Sequence, residues 1–194
     1  ASETMTVKSI TAWRELDNEY FSDPLSTSFF GAGAAPSYAV SDASFEQFSQ
    51  EIQLLGSTDF LEYVVGLYYY EDDSSQDAEG SEILGNPRSA DFSTADNDSL
   101  ALFGQFTYIP EFMDRRWQIT VGGRYSEDNR KAFRDNQNVG FTADYDEDFS
   151  NFTPSLTVGF DINEDSNIYA KVVSGFKSGG TSQRSANAEL FASG

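Results

Sequence analysis

The chain has 194 residues, with 32 acidic side chains against 12 basic ones and a net charge of -20, a balance that repels nucleic-acid phosphate and anionic lipid. It contains no cysteine and no histidine, which excludes thiol nucleophiles, Ser-His triads, disulfides and metal sites built on imidazole or thiolate. No run of 18 apolar residues is present, so no segment is long and apolar enough for a transmembrane helix.

Seven segments instead show a period of two, the alternation that strand side chains follow across the faces of a sheet. The first, 4–16, is rich in β-branched residues, though its faces are less distinct. In 45–55, Phe48, Ile52 and Leu54 oppose Gln47, Ser49, Glu51 and Gln53; in 60–70, Leu61, Tyr63, Val65, Leu67 and Tyr69 oppose Glu62, Gly66 and Tyr68. Segment 99–108 sets Leu100, Leu102, Phe106 and Tyr108 against Ser99, Gln105 and Thr107. Segment 117–126 has Trp117, Ile119, Val121 and Tyr125 on one side and Gln118, Thr120, Arg124 and Ser126 on the other. In 152–162, Phe152, Leu156, Val158, Phe160 and Ile162 alternate with Thr153, Thr157 and Asp161; in 167–177, Ile168, Ala170, Val172 and Phe176 alternate with Asn167, Lys171 and Lys177. Each segment approaches the roughly 9 to 11 residues of a tilted membrane-spanning strand, against a mode of about 5 to 6 in globular sheets.

The connections alternate long and short: 17–44, 71–98 and 127–151 are long, while 56–59, 109–116 and 163–166 are short. A meander of this kind gathers its long loops at one end and its tight turns at the other, which is the anatomy of a transmembrane β-barrel. The three long segments hold 20 of the 32 acidic residues and 4 of the 12 basic ones, so -16 of the charge of -20 belongs to one rim. Trp117, Tyr125, Tyr108, Tyr69, Tyr70, Phe152 and Phe176 fall near strand ends, where an interfacial aromatic girdle is expected. The polar faces predict that Glu51, Gln53, Gln105, Gln118, Arg124, Thr153, Thr157, Asp161 and Lys171 look into a lumen, because charged or amide groups facing lipid cost several kcal/mol.

Motifs with other chemistry fail on spacing. Asp144, Asp146 and Asp148 match the start of a calcium loop, but Phe149 and Ser155 stand where an EF-hand needs glycine and glutamate; a looser divalent-cation site in 127–151 stays open. GAGAAP at 31–36 lacks the third glycine and flanking elements of a dinucleotide fingerprint, and GFKSGG at 175–180 lacks the upstream glycine of a phosphate loop.

Three stretches carry a family likeness: SQEIQLLGSTDFLEYVVGLYYYEDD, LALFGQFTYIPEFMDRRWQITVGGRYSEDNRK and NFTPSLTVGFDINEDSNIYAKVVSGFKSGG. Together, from about Ser49 to Gly180, they resemble the barrel of a TonB-dependent outer-membrane receptor of a Gram-negative bacterium. The resemblance implies an all-β fold, an antiparallel meander of about seven long strands within a transmembrane barrel of roughly 22 strands. Residues 1–194 read as a single segment of that barrel, with the plug domain and the remaining strands outside this chain and the sheet continuing past both termini. It further implies transport of a scarce nutrient, such as a ferric siderophore, cobalamin or an oligosaccharide. The partners would be TonB, the chain's own plug, outer-membrane lipid and lipopolysaccharide, with no enzymatic chemistry, no cofactor and no nucleic acid. Ligand capture in such receptors falls to outer loops, which points to Tyr20, Phe21, Phe29, Phe30 and Tyr38. The alternative is a passive porin or structural barrel with an open polar lumen.

Overall fold

The structure, a computed structural model, describes residues 4–22, 38–80, 89–181 and 187–192. Seven strands form one sheet in chain order: β1 (Thr4–Ser22), β2 (Ala39–Ser57), β3 (Leu61–Gly80), β4 (Ser89–Tyr108), β5 (Trp117–Asn136), β6 (Phe141–Asn163) and β7 (Ser166–Val173). Every neighbouring pair is antiparallel. A five-residue helix, α1 (Ala188–Ala192), follows β7 and packs on β6.

The register carries the alternation of single strands across the whole sheet. Ile52 lies opposite Leu67, Leu67 opposite Leu102, Leu102 opposite Tyr125 and Tyr125 opposite Phe152. Five residues along, an odd number and so on the other face, Thr107, Thr120, Thr157 and Lys171 form a polar row, with the Thr107 and Thr120 hydroxyls 2.9 Å apart. One face is therefore apolar and the other polar. Among the described residues no second layer covers the apolar face: Leu67, Leu102 and Val121 stay 52%, 53% and 52% exposed. A soluble protein rarely leaves an apolar patch beyond a few hundred Å², so this surface calls for hydrocarbon.

Aromatic residues frame the band. At the short-turn end, Trp117 and Phe160 pack with centroids 4.9 Å apart and Tyr63 stacks on Phe106 at 6.4 Å. At the other end Phe48 contacts Trp13 and Tyr69 at 6.5 and 6.4 Å. Two residues expected in this girdle lie elsewhere. Tyr70 is on the polar face, because it follows Tyr69 by one residue and the faces alternate. Phe176 has left the sheet, since β7 ends at Val173 and not at Lys177.

The largest departure concerns the long connections. Most of 71–98 and 127–151 is strand, as are 17–22 and 39–44 at the two ends of the first long connection: β3 and β4 stay paired out to Gly80 and Ser89, and β5 and β6 out to Asn136 and Phe141. A strand of 20 residues spans about 66 Å at 3.3 Å per residue, well beyond a hydrocarbon core of about 30 Å. In the overhang neither face meets hydrocarbon, so the backbone stays paired while the apolar periodicity that marks a strand disappears. The β5–β6 connection shrinks to Gln137–Gly140, where Asn136 Oδ1 accepts the N–H groups of Asn138 and Val139 at 3.0 and 3.2 Å. Gly140 takes φ +71°, a left-handed conformation that favours glycine.

The short connections match their expected places. Thr58 N–H donates to Leu61 O at 2.7 Å, and Asp165 N–H to Asn163 Oδ1 at 3.0 Å; 109–116 holds a 3-10 turn, Phe112–Arg115.

Val121 and Thr120 give a paired test of the faces. In the full-length barrel Val121→Arg should cost about 2 to 4 kcal/mol near the midplane, and Thr120→Arg far less, read by urea unfolding from lipid vesicles. Equal losses would refute the assignment of the two faces.

Candidate functional site: the polar face

Charge on the overhang sorts by face. Glu71, Asp73 and Asp77 of β3, Asp96 and Asp98 of β4, and Asp144, Asp146 and Asp148 of β6 all continue the apolar face upward, above its aromatic edge. The Asp73 carboxyl lies opposite Asp96; hydrogen bonding to it, burial and repulsion together raise Asp73 above the usual carboxylate range. Among the described residues of that overhang face, Lys131 is the only cation, set between Asp96 and Asp146. The arginines of β5 do the opposite. Arg124, Arg130 and Arg134 share one parity and project from the polar face.

Each arginine is held differently. Arg134, 5% exposed, grips Asp91 with Nε on Oδ1 at 2.9 Å and Nη2 on Oδ2 at 2.6 Å. Asn136 Nδ2 donates to the same carboxylate at 3.1 Å, and the Phe141 ring lies 5.5 Å from the guanidinium carbon. The Asp91 hydrogen bond, opposed by burial, raises the basicity of Arg134 further. Arg124 donates from Nε to Ser126 Oγ at 3.0 Å and lies 5.2 Å over the Tyr68 ring. Arg130 donates from Nε to Ser178 Oγ at 3.3 Å, while its Nη2 is 3.8 Å from Asp128.

The Arg130–Ser178 bond joins the wall to residues 174–181, which leave β7 and run over the polar face. Ser174 N–H donates to Pro154 O at 3.0 Å, and beyond it a niche of about 450 Å³ opens between this segment and the wall. Arg124, Arg130, Asn151 and Thr153 line it from the strands, Phe176 and Lys177 from the segment. Farther along, Phe191 of α1 is 1% exposed against Ala132 and Ala143, with Ala95 and Tyr145 around it. Alanines in an otherwise polar wall leave room for that ring.

The register places Glu51, Gln53, Gln105, Gln118, Arg124, Asp161 and Lys171 on one face of the sheet. They are spread along it: Gln53 bonds Glu51, Gln118 Nε2 reaches Asp161 Oδ2 at 3.3 Å, and only Arg124 belongs to the niche. Of the expected loop aromatics, two adjacent ones lie in a strand. Tyr20 and Phe21 are paired in β1 with Ser41 and Val40, and consecutive residues point to opposite faces. Tyr38 directly precedes β2, and Phe29 and Phe30 lie outside the described residues. Asp146 and Asp148 receive Asn129 Nδ2 at 3.4 and 2.7 Å, and no group of three carboxylates able to hold a metal occurs among the described residues. Arg130, Lys177 and the Phe191 seat were missed. Extending the parity of 117–126 through the acidic segment would have put Arg130 and Arg134 on the same face as Arg124.

Arg134 tests the overhang. Arg134→Ala should destabilise it by about 1.5 to 3 kcal/mol, the range for hydrogen bonds to charged groups, and speed chymotryptic cleavage at Phe133 while the membrane-embedded part stays heat-modifiable. Arg134→Lys should restore little, because an ammonium cannot make the two-pronged contact.

Among solved structures the chain is similar to the ferric yersiniabactin uptake receptor FyuA from Yersinia pestis, with a TM-score of 0.68 at 17% identity over 86% of this chain and 25% of that one. It is also similar to the unliganded ferric citrate transporter FecA, with a TM-score of 0.48 at 13% identity over 87% of this chain and 24% of that one. The chain thus spans about a quarter of the length of either structure. No curated protein matches it at a significant level. The model of the TonB dependent receptor-like β-barrel family matches residues 4–193, and with a seven-stranded meander that divides lipid-compatible from polar side chains, the chain belongs to this family of bacterial outer-membrane barrels.

Proposed function

We propose that this chain is a stretch of wall in an energy-coupled outer-membrane receptor that takes up a scarce nutrient. The observation that carries the reading is the register of seven strands, continuous but for one shift at Asp161–Asn163 beside the last turn, which puts an apolar band on one side and amides, hydroxyls and arginines on the other. In this reading the polar side is the lumen, where Glu51, Gln53, Gln105, Gln118, Arg124, Asp161 and Lys171 meet the plug or line the substrate path. The long hairpins lie outside the cell and the short turns in the periplasm. TonB and the plug are the partners, and no covalent chemistry is needed.

Further strands belong to the working unit. Among the described residues the outer edges of β1 and β7 have no strand neighbour, and their peptide groups each cost several kcal/mol when unpaired in hydrocarbon, against a net stability of about 5 to 15 kcal/mol.

Two measurements on the full-length receptor test this. Uptake should collapse when the proton-motive force is dissipated or TonB is removed; uptake that persists would mark a passive pore. A cysteine at Gln137 should react with a membrane-impermeant thiol reagent in intact cells and one at Asp165 should not, and the reverse pattern would invert the topology.

A further inference from the structure

We propose that the niche between the β4–β6 wall and residues 174–178 binds a small carboxylate-bearing anion, with Arg124, Arg130 and Lys177 as its charge partners. The inference rests on the receptor reading and supplies a ligand class for it.

The first ground is composition. A chain with 12 basic residues among 194 and a net charge of -20 brings three of them to one cavity of about 450 Å³, where a single carboxylate, Asp128, also contributes to the lining. Asp128 is 3.8 Å from Arg130 Nη2, a loose contact, and Glu147 faces Arg130 from β6 outside the niche lining. The other polar lining groups are hydroxyls and one amide: Ser99, Ser126, Thr153, Ser174, Ser178 and Asn151. All of them can donate hydrogen bonds to an anion.

The second ground is geometry. Arg124 uses Nε on Ser126 and rests over Tyr68, so its plane is fixed by contacts that leave the paired Nη donors for another group. Arg130 likewise spends Nε on Ser178. Two oriented guanidinium forks match carboxylate oxygens two at a time, which a point-charge ammonium does not. Phe176, 40% exposed at the niche, offers a ring to the carbon skeleton of an organic anion, a contact of no use to inorganic phosphate.

The third ground is the field. The overhang's carboxylates stand mainly on the opposite face of the sheet, so the acidity of the rim does not fill the cavity with negative charge. On the polar face Asp128 and Glu147 flank Arg130, while Arg124 and Lys177 have no carboxylate other than Asp128 in the niche lining.

The test uses full-length receptor in nanodiscs, with propane-1,2,3-tricarboxylate as probe and its neutral trimethyl ester as control. Calorimetry should show salt-sensitive binding of the tricarboxylate and none of the ester. Arg124→Gln and Arg130→Gln should each weaken it roughly tenfold or more, the loss of about one charged hydrogen bond, while Lys131→Gln on the opposite face leaves it unchanged. Should either arginine variant fail to fold, the unmodified protein decides: the tricarboxylate should protect Arg124 and Arg130 from phenylglyoxal, read by peptide mass spectrometry. Equal binding of the ester, no binding, equal loss in Lys131→Gln, or unprotected arginines would overturn the site. Binding is measured without proton-motive force, so a failed niche leaves energy-coupled uptake standing, and a bound anion without coupled uptake would sink only the transport reading.

Discussion

Backbone pairing is the constraint on which everything else in this sheet depends. In hydrocarbon a peptide group has no water to bond, so a spanning strand must satisfy its N–H and C=O groups on both neighbours along its whole length. Among the described residues the ladders do this for the inner strands β2–β5 without a second layer, and the choice of side chains follows. Once the backbone is closed, lipid covers one face and the other is released for polar chemistry.

The absence of a packed interior is the energetic counterpart. Among the described residues the buried apolar cluster is small: Ala132, Ala143 and Phe191, with a few partly buried neighbours. Stability therefore comes from the ladder, from lipid against the apolar band, and from local ties where the strands rise into water. Arg134 with Asp91 and Asn136 is one such tie. The Asn136 turn, which holds the β5–β6 hairpin to four linking residues, is another.

The membrane-embedded half of this architecture was legible in the sequence because one solvent there is oil. Val121, Leu156 and Leu102 had to be apolar and their neighbours could not all be, so a period of two survived in the residues. Above the band that selection vanishes. Asp144, Ala143 and Thr142 are equally compatible with water on either side, and the paired overhang reads as loop. The same loss hid the niche, since Arg130 lies among acidic residues and Lys177 beyond the end of β7. Tyr20 and Phe21 illustrate a related limit: aromatic content locates a segment, but only register says which way each ring points.

A strict alternation over seven strands also shapes how such a wall can change over evolutionary time. Substitutions are read one face at a time, and many are absorbed. A single-residue deletion within β5 would move every later side chain of that strand to the other face, putting Arg124 into lipid and Tyr125 against the niche. Length changes should therefore accumulate in the hairpin tips, around Gln137–Gly140 and between Gly80 and Ser89, or arrive in the strands two residues at a time. The parts most free to lengthen are then those at the long-hairpin end, which can diversify while the wall stays in phase.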